Sequence, residues 1–332
     1  MSSQNGNGHL QSFIPKDFKF SKVLGSFANG RQVACLLSKT DSEENSLVVV
    51  EKLPMSEKDV KQLLDHPESV SDLNLIFNND IYTSYQLFPK VNSELNRLKT
   101  TIINPATEQH LNKYSAHETV IFEESYEHYS TVTKPFIKER QLGLKWVHNI
   151  LDGHAEADRI VYNDPDPLNG FILLPDMKWD GKTEPEKRLY LMAIVRRTDL
   201  NSIRDLTRDH LPLLENLAQS VPKVILEKYG IRRNHIRIFF HYLPSYWHLH
   251  VHFVVNNFVG EEVGSIGQGG LWSADRAHFL SSVISNVKMD SSYYQKASIT
   301  YSIFVDSPLY KRFAEMNQND NEEPKPKLAK TN

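Results

Sequence analysis

The chain of 332 residues is long enough for two domains, and its 40% hydrophobic and 24% charged residues are ordinary for a globular protein. Its net charge of -3 argues against long nucleic acids as partners, because proteins that bind them neutralise many phosphates with Lys and Arg. With no apolar run of about 18 residues, no secretory signal pattern and a single cysteine, Cys35, we expect no membrane span, no intramolecular disulfide and a cytosolic or nuclear location.

The first half of the chain predicts a smaller mixed α+β domain over residues 13–116. Helical spacing indicates a helix at residues 57–64. Alternation of apolar and polar residues indicates short strands at residues 32–38, 46–53, 80–87 and 99–103.

Three further segments frame the predicted domains. Residues 1–12 and 317–332 are polar and have almost nothing to bury, so we expect them to be disordered tails. Residues 117–143 include a helical pattern that Pro135 should kink or end. We interpret this segment as a connector between two domains.

The second half, residues 144–316, predicts a larger α+β domain. Thr207, Asp209 and Gly230 mark the ends of a long helix with a buried apolar stripe, which Pro222 should bend. Residues 235–242 and 247–255 are predicted to form an antiparallel hairpin closed by a short Leu-Pro-Ser turn. The remaining patterns indicate a helix at 144–151 and strands at 159–162, 170–174 and 189–195.

Three histidines alternate with apolar residues along the last predicted strand. The side-chain period of two places His248, His250 and His252 on one face, with neighbours about 6.5–7 Å apart. That spacing suits a row of phosphates. Two alternatives are a solvent-facing strand that carries histidines by chance and a zinc site, although the further ligands of a zinc site cannot be assigned from sequence.

The run His248-Leu249-His250-Val251-His252 resembles the signature of the histidine triad superfamily of nucleotide hydrolases and transferases. Further separated motifs resemble the scavenger mRNA-decapping family within it, and the resemblance spans roughly residues 13–312. These motifs are His241-Tyr242-Leu243-Pro244-Ser245-Tyr246, Trp146 with Asn149-Ile150-Leu151, Ala155-Glu156-Ala157-Asp158-Arg159, Pro175-Asp176-Met177-Lys178-Trp179, Asn79-Asp80-Ile81-Tyr82 and Pro105-Ala106-Thr107-Glu108.

The resemblance implies a histidine-triad catalytic domain, built as an antiparallel sheet with helices, and a smaller N-terminal domain that acts as a lid. It further implies a domain-swapped homodimer with the active sites between the domains. The implied substrate is a 7-methylguanosine cap dinucleotide or short capped oligonucleotide, left by 3′-to-5′ mRNA decay. Hydrolysis of its triphosphate bridge would yield 7-methylguanosine monophosphate and a diphosphate product, with no cofactor and no metal.

The same resemblance assigns roles to individual residues. His250 is the implied nucleophile, because a neutral imidazole can attack phosphorus and form a phosphoramidate. The supporting histidines are His248, His252 and His241. The implied base-binding residues are Trp146, which would stack on the cationic base, Met177 where the family commonly has Leu, Glu156, Asp176 and Asn79. The implied phosphate-binding residues are Lys113, Lys178, Ser245, Tyr246 and Arg276.

Two other functions fit the same features. One is a general dinucleoside polyphosphate or nucleoside phosphoramidate hydrolase, which would not require the 7-methyl group. The other is a non-catalytic cap-binding regulator that keeps the fold without turnover, although the intact triad opposes it. The chain has no G-x-x-x-x-G-K-[ST] motif, which argues against an NTPase of that class.

Overall fold

The computed structural model describes residues 18–27, 30–39, 44–53, 55–91, 93–256 and 276–320. These residues form two compact units, one ending at Ala116 and the other beginning at His117. The disorder expected at 1–12 and at 321–332 lies outside the described residues. Residues 317–320, expected in the C-terminal tail, instead continue a helix that ends at Asp320.

The N-terminal unit is a mixed α+β structure. Its strands β1, β2, β3 and β6 form a four-stranded antiparallel sheet in that order, and β4 and β5 form a separate hairpin. The strands are β1 (Phe18–Phe27), β2 (Gln32–Lys39), β3 (Asn45–Lys52), β4 (Val70–Asn79), β5 (Tyr82–Pro89) and β6 (Leu98–Ile103). The helices are α1 (Glu57–Asp65) and α2 (Glu108–Tyr114).

The local patterns of this unit are largely found where the sequence predicted them. The exception is residues 80–87, because Asp80 lies in a turn with φ of 50° and the strand begins only at Tyr82. Asp tolerates this left-handed conformation better than most residues, so Asp80 and Ile81 form the turn that reverses the chain here. Strand β4, which the turn joins to β5, was not predicted.

The C-terminal unit contains a six-stranded antiparallel sheet, ordered β13-β11-β12-β10-β9-β8, with helices packed on it. Its strands are β7 (Thr119–Glu124), β8 (Tyr162–Asn163), β9 (Phe171–Pro175), β10 (Tyr190–Val195), β11 (Ile236–His241), β12 (His250–Val255), β13 (Ala277–Phe279) and β14 (Ile299–Phe304). Its helices are α3 (Tyr126–His128), α4 (Lys134–Arg140), α5 (Lys145–Leu151), α6 (Pro185–Arg188), α7 (Leu211–Tyr229), α8 (Leu280–Met289) and α9 (Pro308–Asp320).

The segment expected to connect the domains is instead built into the C-terminal unit. Strand β7 pairs with β14, far away in sequence, and Glu124 at its end is fully buried. Helical structure then continues to Arg140, past Pro135, after a π-helical turn at Tyr129–Thr133. A sequence pattern cannot reveal this because the pairing partner of β7 lies near the other end of the chain.

The six-stranded sheet has two apolar faces, and different helices pack against each of them. Residues on one face, including Leu191 and Val251, pack in the large core to which α7 contributes Leu214 and Leu217. On the other face, Met192 and Ile194 pack with residues of α5. In β12, His250 lies opposite Ile194 and His252 lies opposite Met192. Directly opposed residues share a face of the sheet, so both histidines lie on the side covered by α5.

Three local predictions for this unit need correction. Thr207 caps a short 3-10 turn, Arg208–His210, which also contains Asp209, and the long helix begins only at Leu211 and runs through Pro222. The strand expected at 159–162 is reduced to Tyr162–Asn163, because residues 157–159 form a 3-10 turn. The last strand begins at His250, so a longer connection than the predicted Leu-Pro-Ser turn joins it to β11.

Candidate active site

The three histidines of the motif are all buried, but they do not lie on one regular strand. His250 and His252 belong to β12, whereas His248 precedes it. Their exposed fractions are 2%, 4% and 4% in chain order. The ring centroids of His250 and His252 are 5.0 Å apart at an angle of 83°, which is closer than the roughly 6.5–7 Å expected from the strand repeat.

The imidazole of His250 is held in one tautomer by the backbone. Its Nδ1 lies 2.7 Å from the carbonyl oxygen of His248. A carbonyl oxygen only accepts hydrogen bonds, so Nδ1 carries the proton and Nε2 carries the lone pair. This is the arrangement that a nucleophilic imidazole requires.

The surroundings of His250 keep its ring neutral. Burial lowers the pKa of His250 to about 4, because it penalises the charged imidazolium more than the hydrogen bond to His248 favours it. The ring of Tyr246 lies parallel to the imidazole, with 4.1 Å between the centroids. A neutral imidazole at neutral pH has its lone pair available for attack on phosphorus.

His252 lies beside His250, and its two ring nitrogens have different surroundings. Its Nδ1 is 3.2 Å from the hydroxyl of Tyr190, and its ring is 4.6 Å from that of His241. In the part of the chain that the structure describes, its buried Nε2 has no hydrogen-bond partner. Burial lowers the pKa of His252 well below its usual value, and the neighbouring His241 and His250 add to the shift.

His248 is oriented toward a different element. Its Nε2 lies 2.8 Å from the carbonyl oxygen of Val195 at the end of β10, so Nε2 is the protonated nitrogen. Its ring meets the ring of His148 on α5 edge-on, with 6.5 Å between the centroids. Burial lowers the pKa of His248, so it too is neutral at neutral pH. Its carbonyl, as described above, holds His250.

Two cations lie close enough to His252 to affect its pKa. The charges of Lys178 and Arg276 both contribute to the lowered pKa of His252. Lys178 Nζ lies 5.5 Å from the centre of the Tyr190 ring, and Arg276 donates to the carbonyl oxygen of Leu243 at 2.6 Å. The structure thus brings together His241, His250, His252 and these two cations.

Trp146 on α5 is linked to the histidines through Tyr246. The two rings meet edge-on with 4.8 Å between their centroids, and Trp146 is 42% exposed. The Tyr246 hydroxyl is directed to the sulfur of Met192, 3.0 Å away. Burial raises the pKa of Tyr246 well above its usual value, and the nearby charge of Asp176 raises it further. An exposed indole therefore lies two ring contacts from the neutral imidazole of His250.

The predicted base-binding residues Glu156 and Met177 lie at two exposed turns. Glu156 adopts a left-handed backbone conformation with φ of 53°. Its carboxylate forms an ion pair with the guanidinium of Arg159, with 2.7 Å between Oε2 and Nη1. Met177 follows β9 and is 95% exposed. Asp176 shapes that turn, because its carboxylate accepts from the backbone of Lys178 at 3.0 Å.

Three predicted residues are not brought to this cluster by the described contacts. Asn79 and Lys113 belong to the N-terminal unit, where both are exposed and Lys113 lies 5.4 Å from the ring of Tyr114. Ser245 is exposed on the connection before β12.

Sequence reasoning assigned no role to Tyr190, which contacts His252, or to Arg159, which contacts Glu156. Tyr190 is fully buried yet carries a hydroxyl that reaches His252, and Arg159 carries the charge that faces Glu156. The spacing of three between Glu156 and Arg159 was a readable signal for the ion pair, whereas nothing local pointed to Tyr190.

The described residues contain neither a metal-binding group of side chains nor a membrane-spanning helix. In the described ranges, no three or more His, Cys, Asp or Glu side chains are grouped so that they could hold a metal ion, so the zinc alternative has no candidate ligand set there. Within the same ranges, no helix has the length and apolar character needed to cross a membrane.

Family models match both halves of the chain. The model described as "Scavenger mRNA decapping enzyme (DcpS) N-terminal" matches residues 14–117, and the model described as "Scavenger mRNA decapping enzyme C-term binding" matches residues 145–266. The second match includes all three histidines of the motif.

Curated relatives match over almost the whole chain. The m7GpppX diphosphatase of Homo sapiens is 42% identical over 308 residues, which cover 91% of this chain and 86% of the relative. Proteins of the same name from Ascaris suum and Schizosaccharomyces pombe are 40% and 38% identical, covering 93% and 91% of this chain and 97% and 96% of the relatives.

Proposed function

The chain belongs to the scavenger mRNA decapping enzyme family, and from this membership we infer that it hydrolyses the triphosphate bridge of 7-methylguanosine cap dinucleotides and short capped RNA fragments. The products are 7-methylguanosine monophosphate and a diphosphate. The observation that carries the proposal is the buried, neutral imidazole of His250, with its proton on Nδ1 and its lone pair on Nε2.

We propose a reaction in two steps through a covalent intermediate. The Nε2 lone pair of His250 attacks the phosphorus that bears 7-methylguanosine, an N–P bond forms, and the bond from that phosphorus to the bridging oxygen breaks. The diphosphate leaves with the electron pair of that bond and takes up a proton. Water then attacks the phosphoramidate, releases 7-methylguanosine monophosphate and restores the imidazole.

The other residues of the cluster supply the charge and the protons that these steps need. We assign His252 as a hydrogen-bond donor to a phosphate oxygen or to the leaving oxygen. Tyr190 holds its Nδ1, and its Nε2 has no partner among the described residues, so Nε2 is the nitrogen that would donate. Lys178 and Arg276 offset the negative charge of the phosphates. His241, His248, Ser245 and Lys113 complete the proposed phosphate environment, whereas Tyr246 contributes its ring, since its hydroxyl is directed to Met192.

The methylated base is a cation, and this decides which residues suit it. Trp146 presents an exposed indole face, and Trp binds cationic rings better than any other side chain. We propose Met177 as the apolar residue on the other side of the base, since a thioether pairs well with aromatic rings. Glu156 accepts from the guanine edge and offsets the charge of the base, with Asp176 and Asn79 as further contacts.

We also propose a domain-swapped homodimer of histidine-triad fold, in which the smaller domain closes over the base. The β4–β5 hairpin supports the proposal of a dimer, because a two-stranded hairpin on its own is marginally stable and needs a surface to pack against. Its apolar side chains are largely exposed in the single chain: Leu73 52%, Leu75 59%, Ile76 67%, Phe77 48% and Tyr85 53%.

The test is to incubate the protein with a methylated cap dinucleotide and identify both products, with and without a metal chelator. The His250→Asn variant should bind the dinucleotide and release no 7-methylguanosine monophosphate. Turnover by that variant would show that His250 is not the nucleophile. Equal turnover of the unmethylated dinucleotide would support a general dinucleoside polyphosphate hydrolase, and binding without turnover by the wild type would support a cap-binding regulator.

A further inference from the structure

We propose that Arg159 is a specificity-determining positioning residue, which holds Glu156 and the turn after β9 so that the guanine edge of the methylated base is read. The proposal rests on the proposed function, in which Glu156 and Met177 bind the base. Arg159 itself does not contact the base in this proposal.

One guanidinium joins the two turns that carry the base-binding residues. Arg159 Nη1 donates to Glu156 Oε2 at 2.7 Å, and Arg159 Nη2 donates to the carbonyl oxygen of Pro175 at 3.2 Å. Pro175 directly precedes Asp176 and Met177. Arg159 therefore sets the position of the Glu156 carboxylate relative to the turn that carries these two residues.

The backbone at Glu156 explains why the carboxylate needs such a partner. Glu156 has φ of 53°, a left-handed conformation that is unfavourable for a residue with a long side chain. Its carbonyl oxygen accepts from the backbone N–H of Arg159 at 2.9 Å, which closes a short turn and brings the two side chains to the same side. The left-handed backbone conformation sets the direction in which the Glu156 side chain leaves the main chain. The ion pair with Arg159 then fixes the position of its carboxylate.

The chemistry of the guanidinium suits this role better than that of an ammonium. Its planar fork donates along fixed directions, so the bonds to Glu156 and Pro175 define an orientation rather than only a charge. A carboxylate offers about four lone-pair sites, so one bond from Arg159 leaves acceptors for the N1–H and the exocyclic amine of guanine.

A matched pair in the same unit provides the control. Glu184 also has a left-handed backbone, with φ of 43°, and its carboxylate pairs with Lys187 at 2.7 Å, again three residues later. Lys187→Gln therefore removes an exposed ion pair of similar geometry that has no assigned role in base binding. The test variants are Arg159→Gln, which removes the charge and most of the fork, and Arg159→Lys, which keeps only the charge.

The experiment measures KM and kcat for two dinucleotides, one with 7-methylguanosine and one with 7-methylinosine, which lacks the exocyclic amine. The calorimetric Kd of each is measured in the His250→Asn background, where the dinucleotide is expected to bind without being cleaved. We expect Arg159→Gln to raise KM and Kd for the 7-methylguanosine dinucleotide about tenfold, with kcat changed by less than about threefold. The variant should lose most of the preference for guanine over hypoxanthine. Arg159→Lys should recover only part of it, and Lys187→Gln should match the wild type.

Three results would overturn the proposal. They are equal losses on both dinucleotides, a fall in kcat without a change in KM or Kd, and the same losses in Lys187→Gln. Failure of the proposed function looks different: the wild type would bind the methylated dinucleotide without cleaving it, and the Kd values would still test Arg159. If Glu156→Gln left the guanine preference intact, the premise that Glu156 reads the base would fail, and the role of Arg159 with it.

Discussion

The ring of Tyr246 lies parallel to the imidazole of His250, with 4.1 Å between the centroids and 14° between the planes. The same tyrosine meets Trp146 edge-on and places its hydroxyl 3.0 Å from the sulfur of Met192. Tyr246 thus covers the proposed nucleophile and connects it to the proposed base-stacking residue. The effects of its hydroxyl and of its ring on activity can be separated by substitution.

We expect Tyr246→Phe to retain most activity and Tyr246→Ala to lose about tenfold in kcat/KM. The Phe variant keeps the ring stacked on His250, whereas the Ala variant removes an aromatic contact of about 1 kcal/mol and admits water. Steady-state kinetics on the cap dinucleotide check this. If both variants lost activity equally, the hydroxyl and not the stack would be the important group, as its predicted contact with phosphate requires.

The pH dependence of kcat/KM should have its acid limb well below the ordinary pKa of histidine. Since burial lowers the pKa of His250 to about 4, the ring stays neutral at pH 5.5, where an exposed histidine would be about nine-tenths protonated. Removing the cover in Tyr246→Ala should raise that pKa toward 6.5 and shift the limb upward. A wild-type limb at pH 6.5, unchanged in the variant, would contradict the assignment.

Stability should fall on acidification through the half-buried histidine His278, which lies outside the proposed site. Burial lowers its pKa to about 4, so the unfolded state binds more protons than the folded state between about pH 6.5 and 4. The contribution is therefore complete above pH 6.5 and is lost as the pH falls toward 4, by up to about 3 kcal/mol. Urea unfolding across this range should show a shallower decline in His278→Gln, and an identical slope would refute the prediction.

The buried ion pair of Glu124 and Arg204 should be essential for stability. Both side chains are fully enclosed, and Glu124 also accepts from the hydroxyls of Thr133, Tyr242 and Tyr301. Arg204→Met leaves an unpaired buried carboxylate and should lower the free energy of unfolding by about 3–5 kcal/mol.

The matched control for that prediction is the exposed pair of Lys288 and Glu215, 2.6 Å apart. Breaking it with Lys288→Met should change the free energy of unfolding by less than about 1 kcal/mol, because solvent already screens both charges. Urea unfolding measures both variants. Similar losses of unfolding free energy in the two variants would show that burial does not determine how much the Glu124–Arg204 pair contributes to stability.

Much of the fold followed from patterns that are local in the chain. Strands β2, β3, β6, β9 and β10 and helices α1 and α5 lie within a few residues of their predicted positions, because periodicity and turn residues act over short distances. The family predicted from separated motifs is confirmed by the comparisons. The assigned roles of individual residues stay predictions.

What the amino-acid sequence alone determined was the alternation that places His250 and His252 on one face and the motifs that identify the family. Only the tertiary structure decided which atoms hold those rings. His252 meets Tyr190 from 62 positions away, and Glu124 meets Arg204 from 80 positions away, inside a segment expected to be a mere connector. The reason is physical: a tautomer or a buried charge depends on whichever donor or acceptor packing brings within about 3 Å, and no local pattern encodes that partner.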